Sequence, residues 1–141
     1  MADDSIPDED HVSRYCKPSA IAESGLPMAA SFLLREGEEY LSVNWLEYLR
    51  QPDLPTALDL VRSSFRQKGF RLARIGQFSV LRVAAIKTAA SEVADRQLHL
   101  QHLSSPLDKS HAGIFGYAPE DLAIAAELAA IVTSQDVHPA H

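Results

Sequence analysis

The chain has one cysteine, no long apolar run and no metal-binding signature, and each absence removes a class of protein. Cys16 alone can neither close an intramolecular disulfide nor supply a Cys-rich zinc site. It reads as a buried structural thiol, since a reactive one needs an exposed, electropositive setting. The longest apolar run is far too short to span a bilayer. The first residues are acidic (Asp3, Asp4, Asp8, Glu9, Asp10) and carry neither the basic nor the apolar region of a secretory signal. These features predict a soluble cytoplasmic protein with no membrane partner. Neither a His-Glu-x-x-His helix nor a Cys-x-x-Cys pair occurs, and no repeat or low-complexity segment interrupts the chain. His99, His102 and His111 fall within thirteen residues, but strand alternation would send His99 and His102 to opposite faces. No metal site and no cofactor are expected.

What is present fits an ordinary globular balance. Apolar residues are 46% and charged residues 23% of 141, enough for one core that removes roughly two-thirds of the unfolded surface from water. The net charge of −6 is unevenly spread. Residues 1–49 hold ten acidic against three basic side chains, residues 50–87 two against eight, and residues 88–141 seven against two. The basic middle (Arg50, Arg62, Arg66, Lys68, Arg71, Arg74, Arg82, Lys87) suits an anion or an acidic protein surface. Nucleic acid is possible but not favoured, because a general nucleic-acid binder is usually basic overall.

Periodicity predicts an α+β fold. Residues 1–10 read as an acidic mobile tail, 11–134 as a single globular domain and 135–141 as a C-terminal tail. Tyr40 to Leu46 alternates as a strand, and so do Gln77–Val83 and Leu98–Leu103, with a shorter strand over 70–75 and a helical patch over 84–94. Asp53 is a suitable N-cap for a helix over about 53–68, with Pro55 in its first turn, Gly69 at its end, and Leu54, Leu58, Val61 and Phe65 forming one apolar stripe. A second principal helix is expected over about 119–133, opened by Pro119, Glu120 and Asp121 and lined with alanines. Together these give a small, mainly antiparallel sheet packed by two principal helices.

Two polar, histidine-bearing clusters are not demanded by packing: His11-Val12-Ser13-Arg14-Tyr15-Cys16-Lys17-Pro18-Ser19 and Asp108-Lys109-Ser110-His111-Ala112-Gly113-Ile114-Phe115-Gly116. The second reads as a glycine-bearing loop whose backbone can approach a ligand. Imidazoles, hydroxyls and a guanidinium in these stretches make His11, Ser13, Arg14, Tyr15, Ser110 and His111 candidate ligand-binding residues. Asn44 joins them, because asparagine beside Ser42 on one strand face is otherwise unfavourable. Arg62 and Arg66, one helical turn apart, and Arg71 and Arg74 are candidate contacts for a partner or anion.

Two local resemblances bear on function. His11-Val12-Ser13 and His102-Leu103-Ser104 resemble the paired H-x-[ST] motifs of two-histidine phosphoesterases. That resemblance implies His11 and His102 facing each other across a phosphate as acid and base. His11-x-Ser13 followed by Ile21-Ala22-Glu23-Ser24-Gly25-Leu26 is similar to the opening of several ADP-ribosyltransferases. This second resemblance implies that His11 and Ser13 hold the ribose and nicotinamide of NAD, with a later glutamate facing the developing oxocarbenium. It covers residues 11–26 only, and no late strand carries a glutamate. Incomplete enzyme signatures favour a non-catalytic binding or accessory module, acting on a protein partner or an anionic ligand through the basic block and the two clusters.

Overall fold

In a computed structural model, which describes residues 4–49 and 51–141, nine regular elements follow the order β1 (His11–Cys16), β2 (Tyr40–Trp45), α1 (Leu54–Gln67), β3 (Gln77–Arg82), α2 (Val83–Ala94), β4 (His99–His102), β5 (His111–Phe115), α3 (Leu122–Ala130) and β6 (Val137–Pro139). Arg50 of the basic block and the first three residues lie outside the described set. The six strands form one antiparallel sheet in the order β4-β5-β2-β1-β3-β6. The architecture is α+β, as the periodicity predicts.

Alternation along the strands gives the sheet two different faces. Val12, Leu41, Val43, Leu81, Leu100, Ala112 and Ile114 share one face and cluster with Ile86 of α2 and Ile124 and Leu128 of α3. The opposite face meets α1: Leu46, Phe78, Val80 and Tyr15 pack with Ala57, Leu58 and Val61. α1 forms where expected because Asp53 caps it, its carboxylate accepting from Thr56 N at 2.9 Å. That bond holds the Asp53 carboxyl below its ordinary pKa. Leu58 is 1% exposed, and burial of such a side chain contributes about 2 kcal/mol.

The cluster beneath α1 draws on Tyr15 of β1, Phe78 and Val80 of β3 and Leu46 just after β2, and no residue of β2, β5 or β4 belongs to it. Strand pairing is uneven as well. β1 pairs with β3 through all six of its residues and β2 with β5 through five, but β1 and β2 are paired only at Val12↔Trp45 and Ser13↔Asn44. Beyond that point the two central strands part.

Several expectations are corrected. Residues 70–75 form no strand, because both edges of β3 are taken by β1 and β6. Residues 111–115, expected as loop, are the interior strand β5. The expected N-terminal tail contributes Ile6, 2% exposed, to the main core, with Ile6 N donating to Leu100 O at 3.0 Å. The expected C-terminal tail pairs with β3 as β6, and Ala140 N donates to Gly76 O at 3.0 Å. α3 starts at Leu122 rather than at 119 because Asp121 turns back on residue 118, its carboxylate accepting from Ala118 N at 2.7 Å, and it ends at Ala130 with Ile131 as its C-cap, short of the predicted 133. Cys16 is fully buried, as its lone occurrence suggests.

Candidate functional site

The divergence of β1 and β2 creates a cleft of about 440 Å³, a size suited to a small organic ligand. Arg14 stands in the gap and replaces the missing backbone pairing. Its Nε donates to Ser31 O at 2.8 Å and its Nη1 to Ser42 O at 2.9 Å. Ser31 belongs to a short 3-10 turn, Ala29–Phe32, which is anchored in turn by Ser31 Oγ donating to Ala20 O at 3.0 Å and Tyr117 Oη donating to Phe32 O at 2.6 Å. Burial pulls the Arg14 pKa down, and the neighbouring Cys16, Tyr117 and Glu38 oppose that fall. Burial likewise raises the Tyr117 pKa.

Register brings the two sequence clusters together. Ser13 pairs with Asn44 and Asn44 with His111, so all three side chains lie in one row on the α1 face. Asn44 is 4% exposed, and its Nδ2 donates to Asp108 Oδ1 at 2.8 Å and to Ser110 Oγ at 2.9 Å. Lys68, the C-cap of α1, closes this network on Asp108 Oδ2 at 2.6 Å. Ser13 is 1% exposed, and its Oγ finds no hydrogen-bond partner among the described residues. Such a buried hydroxyl carries a desolvation cost that a ligand could relieve.

Ser13, Arg14, Tyr15, Asn44 and His111 therefore all line the cleft, and Ser110 supports it from behind through Asn44. Ser42, Lys17, Arg35 and Lys68 also line it; of these the sequence marks Lys17 only as part of the first cluster and Lys68 only as part of the basic block, and it marks Arg35 not at all. The available signal for Ser42 was its place beside Asn44 on the polar face of an alternating strand. Lys68 was visible only as one charge of the basic block, because the tertiary path of α1 is what delivers it to the cleft. Arg14, Lys17, Arg35 and Lys68 put four cationic side chains on the cleft, and among the described residues no carboxylate lines it.

His11 lies elsewhere. Its Nδ1 is 2.7 Å from Glu47 Oε2, while its backbone N donates to Glu47 Oε1 at 2.7 Å. This carboxylate-held imidazole lines a separate cavity of about 380 Å³ beside α1, together with His138 and Asp136. Ser13 does not line that cavity, so His11 and Ser13 do not share a pocket. His102 belongs to the α2/α3 face, paired with Ala112, whereas His11 belongs to the α1 face with Ser13. The two do not converge. His102 instead sits against Trp45 and Tyr48 and shares a hydrogen bond with Lys109 O at 2.7 Å. No group of three or more histidine, cysteine or acidic side chains among the described residues is placed to hold a metal ion.

The candidate arginines divide. Arg62 is 9% exposed and structural: its Nε lies 3.2 Å and its Nη2 2.5 Å from Pro139 O, and its Nη1 is 2.7 Å from Asp59. The helix stripe and this contact turn it inward, which corrects its expected role as an anion contact. Arg66, Arg71 and Arg74 are exposed. No helix among the described residues is long and apolar enough to cross a membrane. No protein-family model, no curated protein and no solved structure matches the chain.

Proposed function

We propose that the chain is a small binding module whose cleft between β1 and β2 takes an anionic organic ligand. The observation that carries this reading is the cleft's lining: Arg14, Lys17 and Arg35 bring positive charge, a fourth cation, Lys68, is paired with Asp108 behind the lining, and among the described residues no carboxylate faces the space itself. Fixed charge of one sign in a low-dielectric recess raises the local concentration of its counter-ion. Phe65, Phe70 and Tyr15 line the same space and offer apolar surface to the ligand's body. Asn44, Ser13 and His111 supply the directional polar groups that fix its orientation.

Titration calorimetry with phenyl phosphate tests this. Saturable binding is expected, absent with phenol, weakened at least tenfold in Lys17→Ala/Arg35→Ala and reduced by salt. Both substitutions lie at exposed positions. Unchanged affinity in that double variant, or no saturable binding of phenyl phosphate, benzoate or pyrophosphate, would overturn the reading.

A second reading, an acidic protein partner, is favoured by one surface. Ile75 is 72% and Phe70 45% exposed, with Arg71 and Arg74 beside them. An apolar contact rimmed by guanidinium groups has the composition of an interface. Charge reversal of Arg71 and Arg74 would then abolish the association while leaving phenyl phosphate binding intact.

A further inference from the structure

We propose that Ser42 and His111 form a nucleophile and general-base pair at the edge of the cleft, acting on acyl esters that carry an anionic group. The anionic part rests on the cleft reading above, while the pair itself stands on its own geometry.

Ser42 Oγ lies 3.3 Å from His111 Nε2, and His111 Nδ1 lies 3.1 Å from the carbonyl oxygen of Leu103. A carbonyl oxygen only accepts, so Nδ1 carries the imidazole proton and Nε2 keeps its lone pair. Ser42 is then the donor in the Ser42–His111 bond. This is the polarity that activation of a hydroxyl requires: nucleophile to base, and base to an orienting acceptor. Here a backbone carbonyl takes the orienting place that a carboxylate holds in many serine enzymes. The 3.3 Å separation is in the range of unliganded sites, which tighten when substrate binds.

The orienting group is itself fixed. Leu103 N donates to His111 O at 2.8 Å, so the residue that holds the ring is hydrogen-bonded to the residue that bears it. The Tyr40 ring packs edge-on to the imidazole with centroids 6.0 Å apart. Ser42 pairs directly with Gly113, which has no side chain, and His111 is the diagonal neighbour that reaches across. Ser42 is exposed at the cleft, whereas Ser13, on the same face of the sheet, is buried. Among the described residues no other histidine hydrogen-bonds a side-chain hydroxyl. The positive charge of Arg14 is held at the same residue, with Nη1 2.9 Å from Ser42 O.

The reaction closes in two steps. Ser42 Oγ attacks the acyl carbon as its proton passes to His111 Nε2; the acyl–oxygen bond to the alcohol breaks, and the leaving alkoxide takes that proton from the imidazolium. Water then attacks the acyl-serine, its proton passing to Nε2, and Ser42 regains a proton as the carboxylic acid departs. Only water is consumed beside the ester.

The test is intact-mass measurement of the full chain after incubation with diisopropyl fluorophosphate. A single adduct on Ser42 is expected, absent in Ser42→Ala and formed at least tenfold more slowly in His111→Gln, with the circular dichroism of both variants unchanged. No adduct on Ser42, or an equal rate in His111→Gln, would overturn the proposal. The reagent is neutral and reads the pair without the cleft's cations. Labelling that persists while phenyl phosphate fails to bind therefore removes the anionic cleft and leaves the pair. Binding of phenyl phosphate without labelling does the reverse.

Discussion

Lys68 Nζ lies 2.6 Å from Oδ2 of Asp108, a carboxylate whose side chain is 1% exposed, although the two stand on elements 40 residues apart. The other oxygen of Asp108 accepts from Asn44, which also donates to Ser110. A helix end, a central strand and the turn before β5 are thus joined through one buried anion. Desolvating that anion is tolerable only while its partners remain in place.

Asn44→Ala removes two donors and leaves Asp108 and Ser110 short of partners, so it should cost about 2 kcal/mol. Combined with Asp108→Ala, the cost should be less than the sum of the two single losses by about 1 kcal/mol or more, because both act on one network. Urea unfolding of the four proteins in the cycle measures this. Strict additivity would show that the polar cluster is a set of independent bonds rather than a cooperative support for the cleft.

α1 was legible because everything that makes it is local: the Asp53 cap, the Leu54, Leu58, Val61 and Phe65 stripe, and Gly69 at its end. β2 was legible by alternation, with Leu41 and Val43 buried in the α2/α3 core. β5 was not, because Gly113 reads as a turn residue in isolation. Its compensation is the Tyr40 ring lying where a side chain would be, a cross-strand fact with no trace in one sequence. β6 was hidden for the same kind of reason. Three residues ending in proline resemble a tail, and what pins them is Arg62, which lies 77 residues earlier than Pro139. Residues 70–75 carry strand-forming side chains, yet a strand needs a free edge, and β3 has none. In the cleft, the candidates were legible from residue type, while the parting of β1 and β2 that brings them to one space is a property of register alone.

The glycine within β5 and the one just after it differ in what a methyl group would meet. At Gly113 a Cβ falls 2.6 Å from Tyr40 Cδ2 and 3.0 Å from Phe115 Cε1, side-chain atoms of two half-buried rings rather than backbone. Gly116 has φ +113, and its Cβ would fall 2.7 Å from the Gln97 carbonyl oxygen, which is backbone. Gly113→Ala should therefore cost about 1 kcal/mol and Gly116→Ala about 3 kcal/mol, since the second adds backbone strain to a clash that cannot relax locally. Denaturant midpoints give the order. A reversed ranking would mean that the Tyr40 ring is locked, and the Ser42–His111 pair beside it correspondingly rigid.

His138 connects the edge strand to pH. Burial holds its pKa below the ordinary 6.5, and the Arg62 guanidinium adds to the depression, with Asp136 opposing. Its Nε2 is buried without a hydrogen-bond partner among the described residues, so the folded chain favours the neutral ring. In the unfolded chain the same ring takes up a proton near its ordinary value. As the pH falls through 6.5 the unfolded state thus binds more protons than the folded one, and stability from this group, present above that pH, is lost on acidification. His138→Gln removes the difference without removing polarity. Urea midpoints at about pH 7.5 and about pH 5.5 should fall further in the native protein than in the variant. Equal falls would show that the imidazole titrates alike in both states, and that the hold of Arg62 on β6 is mechanical rather than electrostatic.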